Sequence, residues 1–319
     1  MADLPHALIV AGPTASGKSA LALGLAQRLG GVVINTDAMQ TYADLRILTA
    51  RPTPEEEQAA PHRLYGVRPA HEAGTVAWWR TAALAEMDAA RAAGQLPILC
   101  GGSGMYFSSL TLGLADIPDP GLAAREDARG RLAAHGPAAL HAALAEVDPD
   151  TAARLRPTDS QRLARAWEVW RGTGRGLASW QSCASDPPAW RFTAILLDPP
   201  RPALRAAIAQ RFAAMLQAGA LEEVAALLAL KLDTALPLMR AHGVPELSAH
   251  LRGEISLAEA QRRAELVTGQ YTKRQATWFR HRPLADSGRM HTIHARIAGL
   301  EQFSERETRD LLNFIQSPG

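Results

Sequence analysis

Cysteine, lysine and aromatic residues are all scarce in this 319-residue chain, and each scarcity excludes something. Cys100 and Cys183 are the only thiols, with neither zinc-ligand spacing nor a disulfide framework, so the expected setting is a reducing cytoplasm. Aromatics make up 5% of a chain whose hydrophobic share is 47%, leaving alanine and leucine to supply most of the apolar weight. That balance favours helices over a β-sandwich. No run approaches the roughly 18 apolar residues of a membrane span, so no membrane partner is expected. The ten histidines show no metal-like clustering, and His281, His291 and His294 read as surface residues. Lysine occurs only at Lys18, Lys231 and Lys273. A genome rich in G and C explains a preference for arginine, which makes the few lysines less easily explained by chance. A formal charge of +2 neither demands nor excludes nucleic acid.

What is present alternates between two patterns. "HALIVA" (His6 to Ala11), "GVVINTD" (Gly31 to Asp37), "LPILCGGSG" (Leu96 to Gly104) and "RFTAILLD" (Arg191 to Asp198) are short apolar runs that end in glycine or an acid. The first of them has no basic leader before it and reads as a buried strand rather than a signal peptide. "SALALGLAQRL", stopped by Gly30-Gly31, and "WWRTAALAEMDAARAAG" have helical composition. Strand and helix alternating argue for an α/β fold with a parallel sheet. Between the proline-rich breaks "LADIPDPG" and "SDPPAW" no strand is evident, and arginine is frequent. Residues 116 to 188 are therefore expected to form a helical insertion in an α/β core made of residues 1–115 and 189–319. Beyond the last strand, Pro202 suits the first turn of a helix that Gly219 ends. In "SLAEAQRRAELVTGQYTKRQATWFR", Ser256 and Glu259 suggest a capping box. Ala260, Ala264, Val267, Tyr271 and Trp278 fall on one face, with Arg263, Gln270, Lys273 and Arg280 on another. The tail "NFIQSPG" reads as fraying, and no internal repeat is present.

Gly12-Pro13-Thr14-Ala15-Ser16-Gly17-Lys18-Ser19 fits the phosphate-loop pattern G-x-x-x-x-G-K-[ST], with a strand before it and a helix after it. Its glycines allow a tight turn that aims amide N–H groups at phosphate oxygens, and the following helix adds its positive end. Lys18 supplies a point charge and the Ser19 hydroxyl a magnesium ligand. A loop that splits ATP also wants an acid ending a second buried strand. "LPILC" has none. The available acid is Asp37, which could hold magnesium, accept a proton, or simply form a turn. Ser103 in "GGSG" could donate to a phosphate oxygen as charge develops, or belong to an ordinary turn. Arg201, Arg205 and Arg211 fit phosphate contact or solvated helix charge. In "PTDSQRLARAWEVW", Thr158 with Gln161 suggests a capping box and Leu163, Trp167 and Trp170 a buried face. Arg162 and Arg165 are left outside, for a phosphate backbone or for solvent.

"GPTASGKS", "TDAMQTY", "TARP", "PHRL", "LPILCGGSGMY", "DSQRLARAWEV", "MLQAGALEEV" and "TKRQATWFR" occur in this order between about Leu8 and Arg280. The ordered set resembles the bacterial tRNA dimethylallyltransferases, also called tRNA isopentenyltransferases. The resemblance implies a phosphate-loop core with a helical insertion for the anticodon arm. It implies transfer of a dimethylallyl group from dimethylallyl diphosphate to the exocyclic amine of the adenosine 3′ of the anticodon, without consumption of ATP. Gly12 to Ser19 would hold the donor's diphosphate with Mg2+, Asp37 would act as general base, and Ser103 and Arg211 would complete the catalytic set. tRNA contacts would fall on Asp37, Ala38, Met39, Gln40, Ser103, Arg125, Asp159, Ser160, Gln161, Arg162 and Leu163. The chain departs from the family pattern at Ala38, usually serine, at Ala207, often arginine, and at Val244, often tyrosine; Arg205 is a candidate substitute for the missing arginine.

Competing readings are a phosphate-loop small-molecule kinase, a dimethylallyltransferase acting on free adenine nucleotides, and a nucleotide-dependent RNA-binding switch. The first leaves "TKRQATWFR" without a role, the second does not need an arginine-rich insertion, and the third wants the acid that "LPILC" lacks. A monomer requires no added assumption.

Overall fold

The computed structural model describes residues 4–183 and 186–317. Outside it lie residues 1–3 of the apolar start, residues 184–185 at the second proline-rich break, and residues 318–319 of the tail. The chain forms two compact units, one of Met1–Thr111 with Ala189–Gly319 and one of Leu112–Pro188.

In the first unit, β1 (His6–Ala11) leads into α1 (Lys18–Leu29), and β2 (Gly31–Asn35) follows. Gly30, at φ 61°, closes α1 with a left-handed cap, the expected stop. Next come α2 (Pro54–Ala59), β3 (His62–Arg63), α3 (Val76–Ala92), β4 (Leu96–Gly101) and α4 (Gly104–Thr111). The second unit holds α5 (Leu122–Val147), α6 (Pro149–Ala152), α7 (Ser160–Thr173) and α8 (Leu177–Gln181). The chain then returns through β5 (Arg191–Leu197), α9 (Arg201–Gln217), α10 (Ala220–Ala229), α11 (Val244–Leu251), α12 (Leu257–His281), β6 (Met290–Ile293) and α13 (Glu305–Gln316).

The six strands form one sheet in the order β3-β2-β4-β1-β5-β6, and every pairing is parallel. Parallel sheets need cover on both faces, and the alternation of β1 supplies it. Ala7, Ile9 and Ala11 pack with Trp79, Ala83 and Met87 of α3 and Phe279 of α12. Leu8 and Val10 pack with Leu21 and Leu25 of α1 and with Leu311 and Ile315 of α13. Ile315 is fully buried, so the C-terminal segment up to Gln316 is core-forming helix and not a frayed tail. A third cluster joins α9 to α12 with the loop after β2, through Phe212, Met215, Val224, Leu247 and Ala264 against Tyr42, Leu45 and Leu48. Glu223 of α10 holds that loop by accepting the amides of Arg46, Ile47 and Leu48 at 2.5, 2.9 and 2.9 Å. No single helix among the described residues is long and apolar enough to cross a membrane.

The second unit is helical, with Ala128, Leu140, Leu144, Leu163, Ala166 and Trp167 as its core. Its long α5 is broken at Gly136 (φ 77°, ψ 174°), where Pro137 starts the second half. The cap of α7 differs from expectation: Asp159, one residue later than Thr158, accepts the Arg162 amide. The carboxylate does for the Arg162 amide what a capping threonine would have done for that of Gln161. In α12 Ser256 does accept the Glu259 amide, but the Glu259 side chain turns to Arg262 and Arg263, so only half of the capping box forms.

Candidate active site

The carboxyl ends of β1, β2 and β4 converge, as the ligand crevice of an open α/β sheet requires. The loop after β1 is held in shape by two unusual backbone positions, Ala15 at φ 65° and Gly17 at φ 93°. Gly17 admits no substitute, because a Cβ there would lie 1.6 Å from the Ile297 carbonyl oxygen. The segment before α13 thus forms the back of the loop: Ile297 N donates to Ser16 O at 3.0 Å and Arg296 Nε to Ala15 O at 3.2 Å. With Ser16 N turned to Pro13 O, the amides of Ala15, Gly17, Lys18 and Ser19 have no backbone acceptor among the described residues. Together with the head of α1 they form an anion cradle. Thr14 is an exception to the expected inward row, since its amide donates at 2.9 Å to Gln275 of α12.

Asp37 lies two residues past β2. Its amide donates to Asn35 Oδ1 at 2.8 Å and its own Oδ1 accepts the Met39 amide at 3.0 Å. The first bond fixes the backbone of the turn and the second the carboxylate, which has no ion-pair partner among the described residues. Ser103 braces the same turn: its amide donates to Thr36 O at 3.1 Å and its Oγ accepts the Ala38 amide at 3.0 Å. The hydroxyl proton of Ser103 remains free to donate.

Burial lowers the pKa of Lys18 and that of Arg211, while the charge of Asp37 acts on both in the opposite direction. The three charges are therefore within electrostatic reach of one another. Among the described residues Arg211 has no hydrogen-bond or ion-pair partner, so its donors are available to an anion. Asp37 also raises the pKa of Tyr106 and that of Tyr271, second to burial in each case, with Tyr271 pushed up to about 12. His242, 4.8 Å from Tyr271 between ring centroids, is held below its ordinary pKa chiefly by burial. Burial likewise pushes the Cys100 thiol up to about 11, so the last residue but one of β4 is a neutral thiol where an ATPase would carry an acid.

Gly12 to Ser19, Asp37, Ala38 and Ser103 are gathered here by the fold, with Arg211 joined to them electrostatically. Met39 and Gln40 follow in the same turn, where Gln40 Nε2 donates to Thr49 O and Ala50 O at 3.0 and 2.7 Å. Ala207 packs on Ala15, so the missing arginine is replaced by an apolar contact under the loop. Arg205 does not take its place: six residues before Arg211, it sits roughly 120° away around α9 and is exposed. Val244 is buried in the third cluster. In the second unit, Arg125 pairs with Asp119 at 2.6 Å and Arg162 with Asp159 at 3.5 Å, while Gln161 and Arg162 are exposed. Leu163 is fully buried in that unit's core and presents no side chain to solvent.

Sequence reasoning passed over Gln275, Arg296 and His242. For Gln275 a signal existed. The buried face of α12 runs through Ala260, Ala264, Thr272, Gln275 and Phe279, with Tyr271 and Trp278 half-buried at its edge. An amide placed on the core side of an amphipathic helix must find partners.

Fold and site together define a phosphate-loop protein whose strand-end acid lies on β2 instead of β4. A family model described as IPP transferase matches residues 40–282. Relatives named tRNA dimethylallyltransferase include one from Granulibacter bethesdensis, 61% identical over 313 residues and covering 98% of each chain. Another, from Acidiphilium cryptum, is 64% identical over 309 residues, covering 97% of this chain and 94% of the relative. Among solved structures, the tRNA isopentenylpyrophosphate transferase of Bacillus halodurans superposes with a TM-score of 0.68 at 28% identity, over 98% and 96% of the two chains. A eukaryotic dimethylallyltransferase acting on tRNA shares the fold, with a TM-score of 0.80 at 23% identity over 97% of this chain and 78% of that one. The chain belongs to the IPP transferase family.

Proposed function

We propose that this protein transfers a dimethylallyl group from dimethylallyl diphosphate to the exocyclic amine of the adenosine 3′ of a tRNA anticodon, as a monomer in the cytoplasm. The observation that carries the reading is two opposed tools at the same strand ends. An amide cradle with Lys18 and Arg211 suits a leaving diphosphate, and the Asp37 carboxylate, whose charge acts on both, suits an acceptor's proton. The names of relatives at 61% and 64% identity agree with it.

The bond between the allylic carbon and the diphosphate oxygen breaks, and its electron pair leaves with the diphosphate. The free loop amides, Lys18 and Arg211 stabilise that charge where it develops. The adenine nitrogen forms the new bond to carbon and gives up a proton to Asp37. Ser103, its Oγ already held by the Ala38 amide, points its remaining donor from the edge of the Asp37 turn and keeps that turn rigid. Arg125, Asp159, Ser160, Gln161 and Arg162 of the second unit serve the tRNA, with Met39 and Gln40 of the first.

Magnesium suits this donor set. Among the described residues no three His, Cys, Asp or Glu side chains gather into a metal site. Mg2+ commonly keeps waters and takes phosphate oxygens with one or two protein oxygens. The exposed Ser19 hydroxyl at the head of α1 would hold it, and the ion when bound neutralises charge on the diphosphate.

The test is transfer of labelled prenyl groups from dimethylallyl diphosphate to unmodified tRNA with adenosine next to the anticodon, in the absence of ATP. Labelled tRNA is expected. ATP hydrolysis or phosphoryl transfer with unlabelled tRNA would overturn the reading.

A further inference from the structure

Gln275 is 5% exposed on the core side of α12, between Thr272 and Phe279. An amide buried this deeply is tolerated only when hydrogen-bonded. Its Oε1 accepts from Thr14 N at 2.9 Å and from Thr14 Oγ1 at 3.3 Å, and its Nε2 donates to Gly102 O at 3.0 Å. Because a backbone N–H can only donate and a carbonyl only accept, the amide is fixed in one orientation. Gly102 makes room for it: a Cβ there would stand 2.3 Å from Gln275 Nε2.

The two loops it joins are the two halves of the site. Thr14 belongs to the phosphate loop. Gly102 precedes Ser103, whose amide donates to Thr36 O and whose Oγ accepts the Ala38 amide, on either side of Asp37. A continuous hydrogen-bonded path therefore runs from the anion cradle through Gln275 to the turn that carries the carboxylate. Among the described residues neither the phosphate loop nor the Asp37 turn makes another side-chain bond to α12.

We infer that Gln275 is a positioning residue for prenyl transfer, setting the loop that holds the leaving diphosphate in register with the loop that carries Asp37. In-line transfer of carbon between two held partners depends on their separation, and a displacement of about 1 Å can cost on the order of 100-fold in rate. The inference rests on Asp37 acting as the base, and Gln275 need not touch either substrate.

Gln275→Leu, of similar reach but without hydrogen bonds, tests it. Single-turnover transfer to unmodified tRNA should fall on the order of 100-fold, while the Kd of an unreactive prenyl thiodiphosphate changes much less. Gln275→Glu supplies a second readout. Its ionised carboxylate cannot donate to Gly102 O, whereas the protonated acid both accepts from Thr14 and donates to Gly102. Its deficit relative to wild type at the same pH should shrink as pH falls. If Gln275→Leu fails to fold, this ratio decides. Unchanged single-turnover rates, or a rate loss matched by an equal loss of donor affinity, or a pH-independent Gln275→Glu deficit, would overturn the inference. Asp37→Asn measured alongside separates the two readings. An active Asp37→Asn removes the base, whatever Gln275 does. An inactive Asp37→Asn beside a fully active Gln275→Leu removes only the positioning role. In the double variant, Gln275→Leu should add little to the loss caused by Asp37→Asn.

Discussion

Asp37→Asn separates chemistry from binding unusually well in this site. The substitution preserves shape, and the asparagine Oδ1 can still accept the Met39 amide that now meets the aspartate at 3.0 Å. What is lost is the ability to take a proton and one negative charge. A positioned general base contributes typically 10²- to 10⁴-fold, which at about 1.36 kcal/mol per decade raises the barrier by roughly 2.7–5.4 kcal/mol. The lost charge acts on the donor side with the opposite sign. Lys18 and Arg211 each have Asp37 as the neighbour that opposes their burial, and without it the field over the phosphate loop becomes more positive. The donor should therefore bind as well as before or more tightly while turnover collapses. Single-turnover transfer from labelled dimethylallyl diphosphate gives the rate, and titration with an unreactive thiodiphosphate gives the affinity. A variant within tenfold of wild type in rate, or one whose whole deficit appears in donor binding, would refute the assignment.

Three further outcomes follow from particular contacts. Gly17→Ala forces a left-handed backbone on alanine, at roughly 1–2 kcal/mol, and drives a Cβ into the Ile297 carbonyl; thermal unfolding should occur at lower temperature and donor affinity should drop, and tighter donor binding would contradict the loop geometry. Leu163→Ala empties a fully buried site in the second unit and should cost roughly 2–5 kcal/mol by denaturant unfolding; a cost near zero would return that side chain to the surface. His6, bonded to Thr193 Oγ1 at 2.9 Å, has its pKa lowered to about 4 by burial and by Arg191 and Arg289. The unfolded chain then binds the extra proton first, so the contribution of His6 is complete above pH 6.5 and is lost as pH falls toward 4. A His6→Gln variant should show less destabilisation than wild type across that window in thermal melts.

The readable part of the fold is the part buried on both faces. β1, β4 and β5 are near-continuous apolar runs because each strand is covered on both sides; the bounds of β1 and β5 were legible to within a residue, while β4 stops at Gly101, three residues before the end of the run read for it. β3 is two residues, His62 and Arg63, and β6 is "MHTI" with His291 exposed, so neither has the composition of a buried strand. They exist because the neighbouring strand offers a ladder, which is tertiary information. The phosphate loop and Asp37 could be read because a fixed spacing or a strand end dictates them. Arg296 and Ile297 could not, since they reach the loop from 281 residues away, and for Gln275 the signal was its place on amphipathic α12 and not the identity of its partners. The tail was misread for a related reason: the apolar residues of "LLNFI" sit at the end of an otherwise polar helix, and the partners of Leu311 and Ile315 are on α1 and the sheet.

The dependence of the phosphate loop on Ile297 has a consequence for synthesis. Gly12 to Ser19 are made well before the segments that close their fold, β5, Gln275 and last Arg296 and Ile297. At about 5–20 residues per second a ribosome needs on the order of 15–60 s to travel from the loop to its final brace. Throughout that interval the nascent chain carries the motif without the site. A chain ended prematurely anywhere before Ile297 would expose glycine-rich backbone with no seat for a diphosphate, so truncated products would not sequester the donor from complete enzymes.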